Sequence, residues 1–259
     1  YNLPLLESNS FLPDLDSIPP DVLKKANMLY INYPTNPTGA VANISFFKKV
    51  VAFAKKNNIV VIHDSAYSAL TYDGYKPLSL LTIEGAMDVV IEVHSLSKAF
   101  NMTGWRIGFV CGNNKAIKAF ATVKDNSDSG QFRAIQKAGI KALNNTSITE
   151  KTIEKYSRRF DLLVKALNDI GFDASKPKGS FYIYVKAPSG TENGKIFKSA
   201  SEFSEYLITE ALISTVPWDD AGKYVRFSVT FEADSVQKEI EVINEMRKRM
   251  SSLKLKFSN

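Results

Sequence analysis

The feature that most constrains this fold is an alternation of short apolar runs with an amphipathic segment. Met28-Leu29-Tyr30-Ile31 and Ile59-Val60-Val61-Ile62 are each strand-length and are bounded by turn-forming residues. Between them Phe46, Phe47, Val50, Val51 and Ala54 recur at the spacing of one helical face. A strand, a helix and a second strand in that order make a crossover, which joins parallel neighbours. The pattern therefore predicts an α/β fold: a mostly parallel sheet flanked by helices, with further strands at about 88–94 and 106–111.

Chemistry-bearing residues sit at the ends of these runs. Asn36-Pro37-Thr38-Gly39 follows the first, His63-Asp64-Ser65-Ala66-Tyr67 closes the second, and Val89-Val90-Ile91-Glu92-Val93 leads into Ser95-Leu96-Ser97-Lys98, with Arg106 beyond. Asn36, Asp64 and Lys98 each lie past the C-terminal end of an expected strand, where open α/β sheets bind ligands. Lys98 is an amine that could attack an aldehyde, beside the hydroxyls of Ser95 and Ser97 and near a fixed cation suited to an anion. Taken singly, each has a plainer reading. Asp64 fits a helix N-cap, Asn36 to Gly39 a turn, Tyr67 a packing tyrosine, and Ser95 and Ser97 loop hydroxyls. Arg226, in the alternating Tyr224-Val225-Arg226-Phe227-Ser228, fits an exposed cation.

In this order and at these separations the motifs resemble the fold type I pyridoxal-phosphate aminotransferases, the class I/II family that includes aspartate aminotransferase. The resemblance implies that Lys98 forms the Schiff base with pyridoxal 5'-phosphate and then moves the substrate α-proton, as a buried lysine. It implies that Asp64 pairs with the pyridine nitrogen and that Tyr67 and Asn36 hold the ring 3'-oxygen. Ser95, Ser97 and Arg106 would hold the phosphate. Arg226 would grip the substrate α-carboxylate, with Asn36 also facing the substrate, and Asn36-Pro37 would be a cis peptide. The implied activity is a ping-pong exchange between a small-molecule amino acid and a 2-oxo acid. Tracts 125–132 and 214–222 are most similar to a branch of LL-diaminopimelate aminotransferases, whose reaction would run with 2-oxoglutarate; aspartate and aromatic amino acids are the other candidate substrates. A cytoplasmic homodimer is expected, with segment 126–131 reaching across to the partner. Two other activities share the fold: a C-S lyase or decarboxylase using the same cofactor, and a non-catalytic sensor domain of a transcription regulator. Family members carry a phosphate loop and a ring-stacking aromatic upstream of the Asn-Pro motif, so the chain resembles the C-terminal portion of a longer enzyme.

The same resemblance divides the chain into 1–146, part of a large cofactor-binding domain, and 147–259, a linking helix with a small α+β C-terminal domain. The helix starts at Ser147 with a capping box to Glu150 and runs through Ile153, Tyr156, Phe160, Leu163 and Leu167 until Gly171. Beyond it, strands are expected at about 180–185 and 223–230 and helices at about 199–210 and 234–250, with 188–194 a loop.

A net charge of +6 raises the question of nucleic acid. The densest cations, Lys48-Lys49 with Lys55-Lys56 and Arg247-Lys248-Arg249, fall on helices with apolar opposite faces, so they read as solvated and no nucleic-acid partner is expected. No apolar run is long enough to span a membrane. The start, Tyr1-Asn2-Leu3-Pro4, lacks a secretory leader, and the single cysteine, Cys111, reads as a small core residue in a reducing compartment. His63 and His94 read as structural, with no metal site expected.

Overall fold

The computed structural model describes residues 1–257. They form two compact units, one comprising Tyr1–Asn36, Ala40–Ile153 and Lys178–Ser180, the other Pro37–Gly39, Glu154–Pro177 and the described residues from Phe181 onward.

In the first unit a short helix α1 (Pro20–Leu23) precedes β1 (Met28–Asn32), α2 (Ile44–Asn57), β2 (Val60–Asp64) and β3 (Val90–Ser95). β1, β2 and β3 are parallel neighbours, as a strand-helix-strand unit requires. After the short α3 (Leu96–Ala99), β4 (Gly108–Gly112) returns antiparallel to β3 at the end of a four-stranded sheet ordered β1-β2-β3-β4. Alternation along β1 buries Leu29 and Ile31 against Phe46, Phe47, Val50, Val51 and Ala54 of α2, while Met28 and Tyr30 stay exposed. The α2 N-terminus is closed by Asn43, whose Oδ1 accepts from Phe46 N–H at 2.8 Å. Gly112, at φ 130°, sits where a Cβ would come within 2.3 Å of the Val90 carbonyl oxygen, so β3 and β4 can meet there only at a glycine.

Helices α4 (Asn114–Ser127), α5 (Arg133–Leu143) and α6 (Ser147–Ile170) follow. α4 and α5 lie outside the elements expected from sequence, and α4 takes in Asn126, the start of the segment expected to reach a partner. The long helix starts at Ser147 as expected, but without the capping box. Glu150 N–H already bonds to Thr146 O at 3.0 Å, and the Ser147 hydroxyl donates to Asn145 Oδ1 at 2.7 Å instead of accepting.

The second unit holds the rest of α6 together with β5 (Tyr182–Lys186), β6 (Gly190–Thr191), α7 (Ala200–Ala211), β7 (Val216–Trp218), β8 (Tyr224–Ser228), α8 (Val236–Ser252) and β9 (Leu255–Lys256). β5, β8 and β7 make a three-stranded antiparallel sheet. The expected loop at 188–194 contains β6, because Gly190 and Thr191 pair with Lys256 and Leu255 of β9, a partner far along the chain that local periodicity does not reveal. Gly190 is needed there, since a Cβ would fall 2.1 Å from the Lys195 carbonyl oxygen.

A buried ion cluster fastens this unit. Glu239 Oε1 accepts from Arg159 Nε at 2.8 Å and Oε2 from Arg158 Nε at 2.7 Å, with Glu239 and Arg159 side chains each 2% exposed. Arg159 also donates to the carbonyls of Val229, Phe231 and Ala233 and lies over the Phe231 ring, so its donors are widely used. No helix among the described residues is long and apolar enough to cross a membrane.

Candidate functional site

The C-terminal ends of β1, β2 and β3 are aligned by their register, which sets Asn32 against Asp64 and Asp64 against Val93. Asn32 ties two of these ends together: its Nδ2 donates to Asp64 O at 2.8 Å and its Oδ1 accepts from Asn36 N–H at 2.8 Å. Asn36 is thereby held at the mouth of the strands and is exposed. The turn is completed by Thr35 N–H to Ala40 O, 2.9 Å. These bonds orient Asn36 without a cis linkage at Pro37; the cis peptide among the described residues is Tyr33-Pro34, which corrects the expectation for Asn36-Pro37.

Asp64 is the last residue of β2 and is half-buried. Its Oδ1 accepts from Ala66 N–H at 3.1 Å, and its Oδ2 accepts from the Tyr30 hydroxyl at 2.5 Å. Partial desolvation, reinforced by the hydrogen bond and charge of Asp64, pushes the Tyr30 phenol well up, so it stays a donor. Sequence reasoning missed Tyr30 and Asn32. Both lie on β1 at alternate positions, the signal that they share a face with Asp64. Tyr67 is buried in the turn after β2.

At the end of β3, Ser95 caps α3, its Oγ accepting from Ser97 N–H at 3.1 Å, and Ser97 is buried. Lys98, the third residue of the four-residue α3, is half-buried where a buried lysine was expected, while Ser97 and Ala99 beside it are buried. Arg106 reaches the same end of β3, since Leu96 N–H bonds to Ile107 O at 3.2 Å. It is exposed and left-handed at φ 52°, an uncommon conformation for a residue with a Cβ, and its Nη1 donates to Thr103 O at 2.8 Å.

Asn36, Asp64, Tyr67, Ser95, Ser97, Lys98 and Arg106 thus all lie in the first unit, while Arg226 belongs to the second. Arg226 sits on β8, half-buried, with its guanidinium 3.8 Å from the Tyr182 ring centroid and 5.4 Å from that of Trp218. Flanking aromatic faces fix the plane of a guanidinium and leave its edge for hydrogen bonding. Asp219, in the 214–222 tract, caps α7 by accepting from Ala200 and Ser201 N–H.

One row behind Asp64, the register aligns Ile31, His63, Glu92 and Cys111. Glu92 is buried and accepts from Leu80 N–H at 2.6 Å and Ser79 Oγ at 2.9 Å, with His63 Nδ1 at 3.0 Å and His94 Nε2 at 3.2 Å. Burial works against its ionisation, but the two histidines and Ser79 outweigh it and hold the carboxyl well below the usual range. Cys111, expected as a core residue, is half-buried on β4, the end strand of the sheet among the described residues.

The family model described as "Aminotransferase class I and II" matches residues 1–244. The LL-diaminopimelate aminotransferase of Methanocaldococcus jannaschii is 55% identical, over 99% of this chain and 63% of its own length. That of Methanococcus maripaludis is 53% identical, over 98% of this chain and 62% of its own length. The chain therefore spans less than two thirds of these relatives. Among solved structures, BacF of Bacillus subtilis in its apo form superposes with a TM-score of 0.90 at 38% identity, covering 100% of this chain and 67% of BacF.

Proposed function

Because the chain belongs to the class I and II aminotransferase family, we propose that the protein containing it is a pyridoxal 5'-phosphate-dependent aminotransferase that exchanges the amino group of LL-diaminopimelate with 2-oxoglutarate. The observation that carries this reading is the gathering of Asn36, Asp64 and Lys98 at the aligned ends of three adjacent parallel strands. The substrate is taken from the two archaeal relatives, which are similar over nearly the whole of this chain.

The donor set fits the cofactor: an amine for an aldehyde, a carboxylate for a basic ring nitrogen, and hydroxyls with a guanidinium for a phosphate. When bound, the cofactor supplies an electron sink for charge developing at the substrate α carbon. Lys98 is the amine that holds the aldehyde and carries the proton to and from that carbon. Asp64, held by Tyr30 and Ala66, would pair with the ring nitrogen and supply the charge that a protonated nitrogen requires. Asn36 and Tyr67 donate to the ring oxygen. Ser95, Ser97 and Arg106 hold the phosphate, and Arg226 binds the substrate α-carboxylate by a bidentate fork. We also read the protein as a cytoplasmic homodimer, which sedimentation of the purified protein checks.

The test is a coupled assay of the full-length protein with LL-diaminopimelate and 2-oxoglutarate, against aspartate and aromatic amino acids as donors. Glutamate formation fastest with LL-diaminopimelate supports the proposal. Turnover of the other donors at equal or higher kcat/KM removes the substrate assignment, and release of keto acid beyond one equivalent per site without any 2-oxo acid present removes the aminotransferase assignment.

A further inference from the structure

We propose that Glu92, His94 and Cys111 form a binding site for a zinc-class divalent cation. The site is separate from the residues assigned to the cofactor and does not depend on the proposed reaction.

The sheet itself assembles the three side chains. Glu92 and His94 are two apart on β3 and point to the same face, while Cys111 is the antiparallel partner of Glu92 on β4 and shares that face. Their ligand atoms all lie within 4.8 Å of one another. Glu92 Oε2 and His94 Nε2 are 3.2 Å apart. Two ligands of a tetrahedral zinc ion, with bonds of about 2.0–2.1 Å, are about 3.3 Å apart. In the free protein that spacing is a hydrogen-bond contact, with Ser79 Oγ also on Oε2 at 2.9 Å; it is a spacing a zinc ion would bridge, and Cys111 Sγ lies within 4.8 Å of both atoms.

Two of the three ligands are already held in orientation. The His94 ring is stacked on Phe109, centroids 4.8 Å apart and planes within 14°. The Glu92 carboxylate is fixed through its other oxygen by Leu80 N–H at 2.6 Å and His63 Nδ1 at 3.0 Å, the kind of outer support metal-binding carboxylates use. His94 and Cys111 are half-buried.

Donor type selects the ion. Thiolate, imidazole and carboxylate together suit zinc and its soft or borderline neighbours, whereas magnesium and calcium require oxygen ligands. Binding releases the thiol proton, and His94 coordinates through Nε2 with its own proton on Nδ1.

In this chain Cys111 is the single cysteine, and of the two histidines the other, His63, is buried at 0% exposure. In the full-length protein the reaction of the Cys111 thiol is therefore read as the difference between the parent and Cys111→Ser. The full-length protein, freed of metal with a chelator and returned to chelator-free buffer, is treated with an aromatic disulfide reagent in the presence of Zn²⁺ or Mg²⁺. Bound Zn²⁺ is counted by elemental analysis after gel filtration. Zn²⁺ is expected to slow the thiol reaction at least about tenfold and to remain bound at one equivalent per chain, with no effect of Mg²⁺. His94→Ala and Cys111→Ser are each expected to weaken Zn²⁺ binding at least about tenfold. Unchanged reactivity of the Cys111 thiol in Zn²⁺, taken as the difference between parent and Cys111→Ser, overturns the proposal, and so does Zn²⁺ retention by Cys111→Ser equal to that of the parent.

Discussion

Replacing Glu239 with alanine should unlock the second unit at its most buried ion cluster. The substitution removes the acceptor of Arg159 Nε at 2.8 Å and of Arg158 Nε at 2.7 Å. The two arginines lose different amounts. Arg158 has a side chain 40% exposed and can turn to water, so its share is at most about 1 kcal/mol. Arg159, 2% exposed, is left as a buried cation facing three carbonyls and a ring but no anion. Stranding a buried charge in this way costs about 3–5 kcal/mol. Urea denaturation at neutral pH should show that loss, and Glu239→Gln, which keeps an acceptor oxygen, should lose less. The dependence on pH has a definite sign. Burial opposes ionisation of Glu239, but the two guanidiniums outweigh it and hold the carboxyl below its ordinary value. The contribution is therefore complete above the unfolded-state value of about 4.3 and fades as pH falls through the lower folded value, so parent and variant should converge in acid. A loss under about 1 kcal/mol at neutral pH, or a gap that widens in acid, would refute the reasoning. Arg159 also grips Val229 and Phe231, just past the strand that carries Arg226, so KM for the amino-acid substrate should rise in the variant.

Three further outcomes are expected. Lys98→Ala in the full-length protein should abolish transamination and the visible absorbance of bound cofactor, and borohydride should no longer fix cofactor to the chain; trapping on another lysine contradicts the assignment. Arg226→Ala should leave cofactor absorbance nearly intact while lowering kcat/KM for every α-amino acid by an amount equivalent to about 2–5 kcal/mol, the cost of losing a buried charged contact. Asn43→Ala should cost about 1 kcal/mol by removing the α2 cap, read by thermal or urea denaturation.

What could be read in advance follows physical range. β1, α2, β2 and α6 were legible because each has a residue periodicity matched to one buried face, as Phe160, Leu163 and Leu167 show. α4 was also legible, since Ala116, Ile117, Phe120 and Val123 recur at helical spacing, although none of its residues is buried among the described residues. β6 escaped because its pairing with β9 is a long-range event in a stretch too short to alternate. At the site, the order of Asn36, Asp64 and Lys98 along the chain was enough to place them at strand ends. The Tyr30 bond to Asp64 depends on inter-strand register, which one strand read alone does not contain.

The reversal of β4 also says where this scaffold can vary. Leu96 N–H to Ile107 O pins the segment between β3 and β4 at its base, with Ser95 and Arg106 beside the pin; at the outer end Asn101, Thr103 and Gly104 are exposed, while Met102 is buried against Leu96 and Ala142. Lengthening a loop that is already closed adds little entropic cost, growing only with the logarithm of its length. Thr103 is bonded to Arg106 and to Ser97 and Asn101 to Thr152, so within the tip the permissive position is Gly104, where a Cβ would meet nothing within 4 Å, while a residue added beside the pin would shift Ser95 or Arg106 out of register with its neighbours.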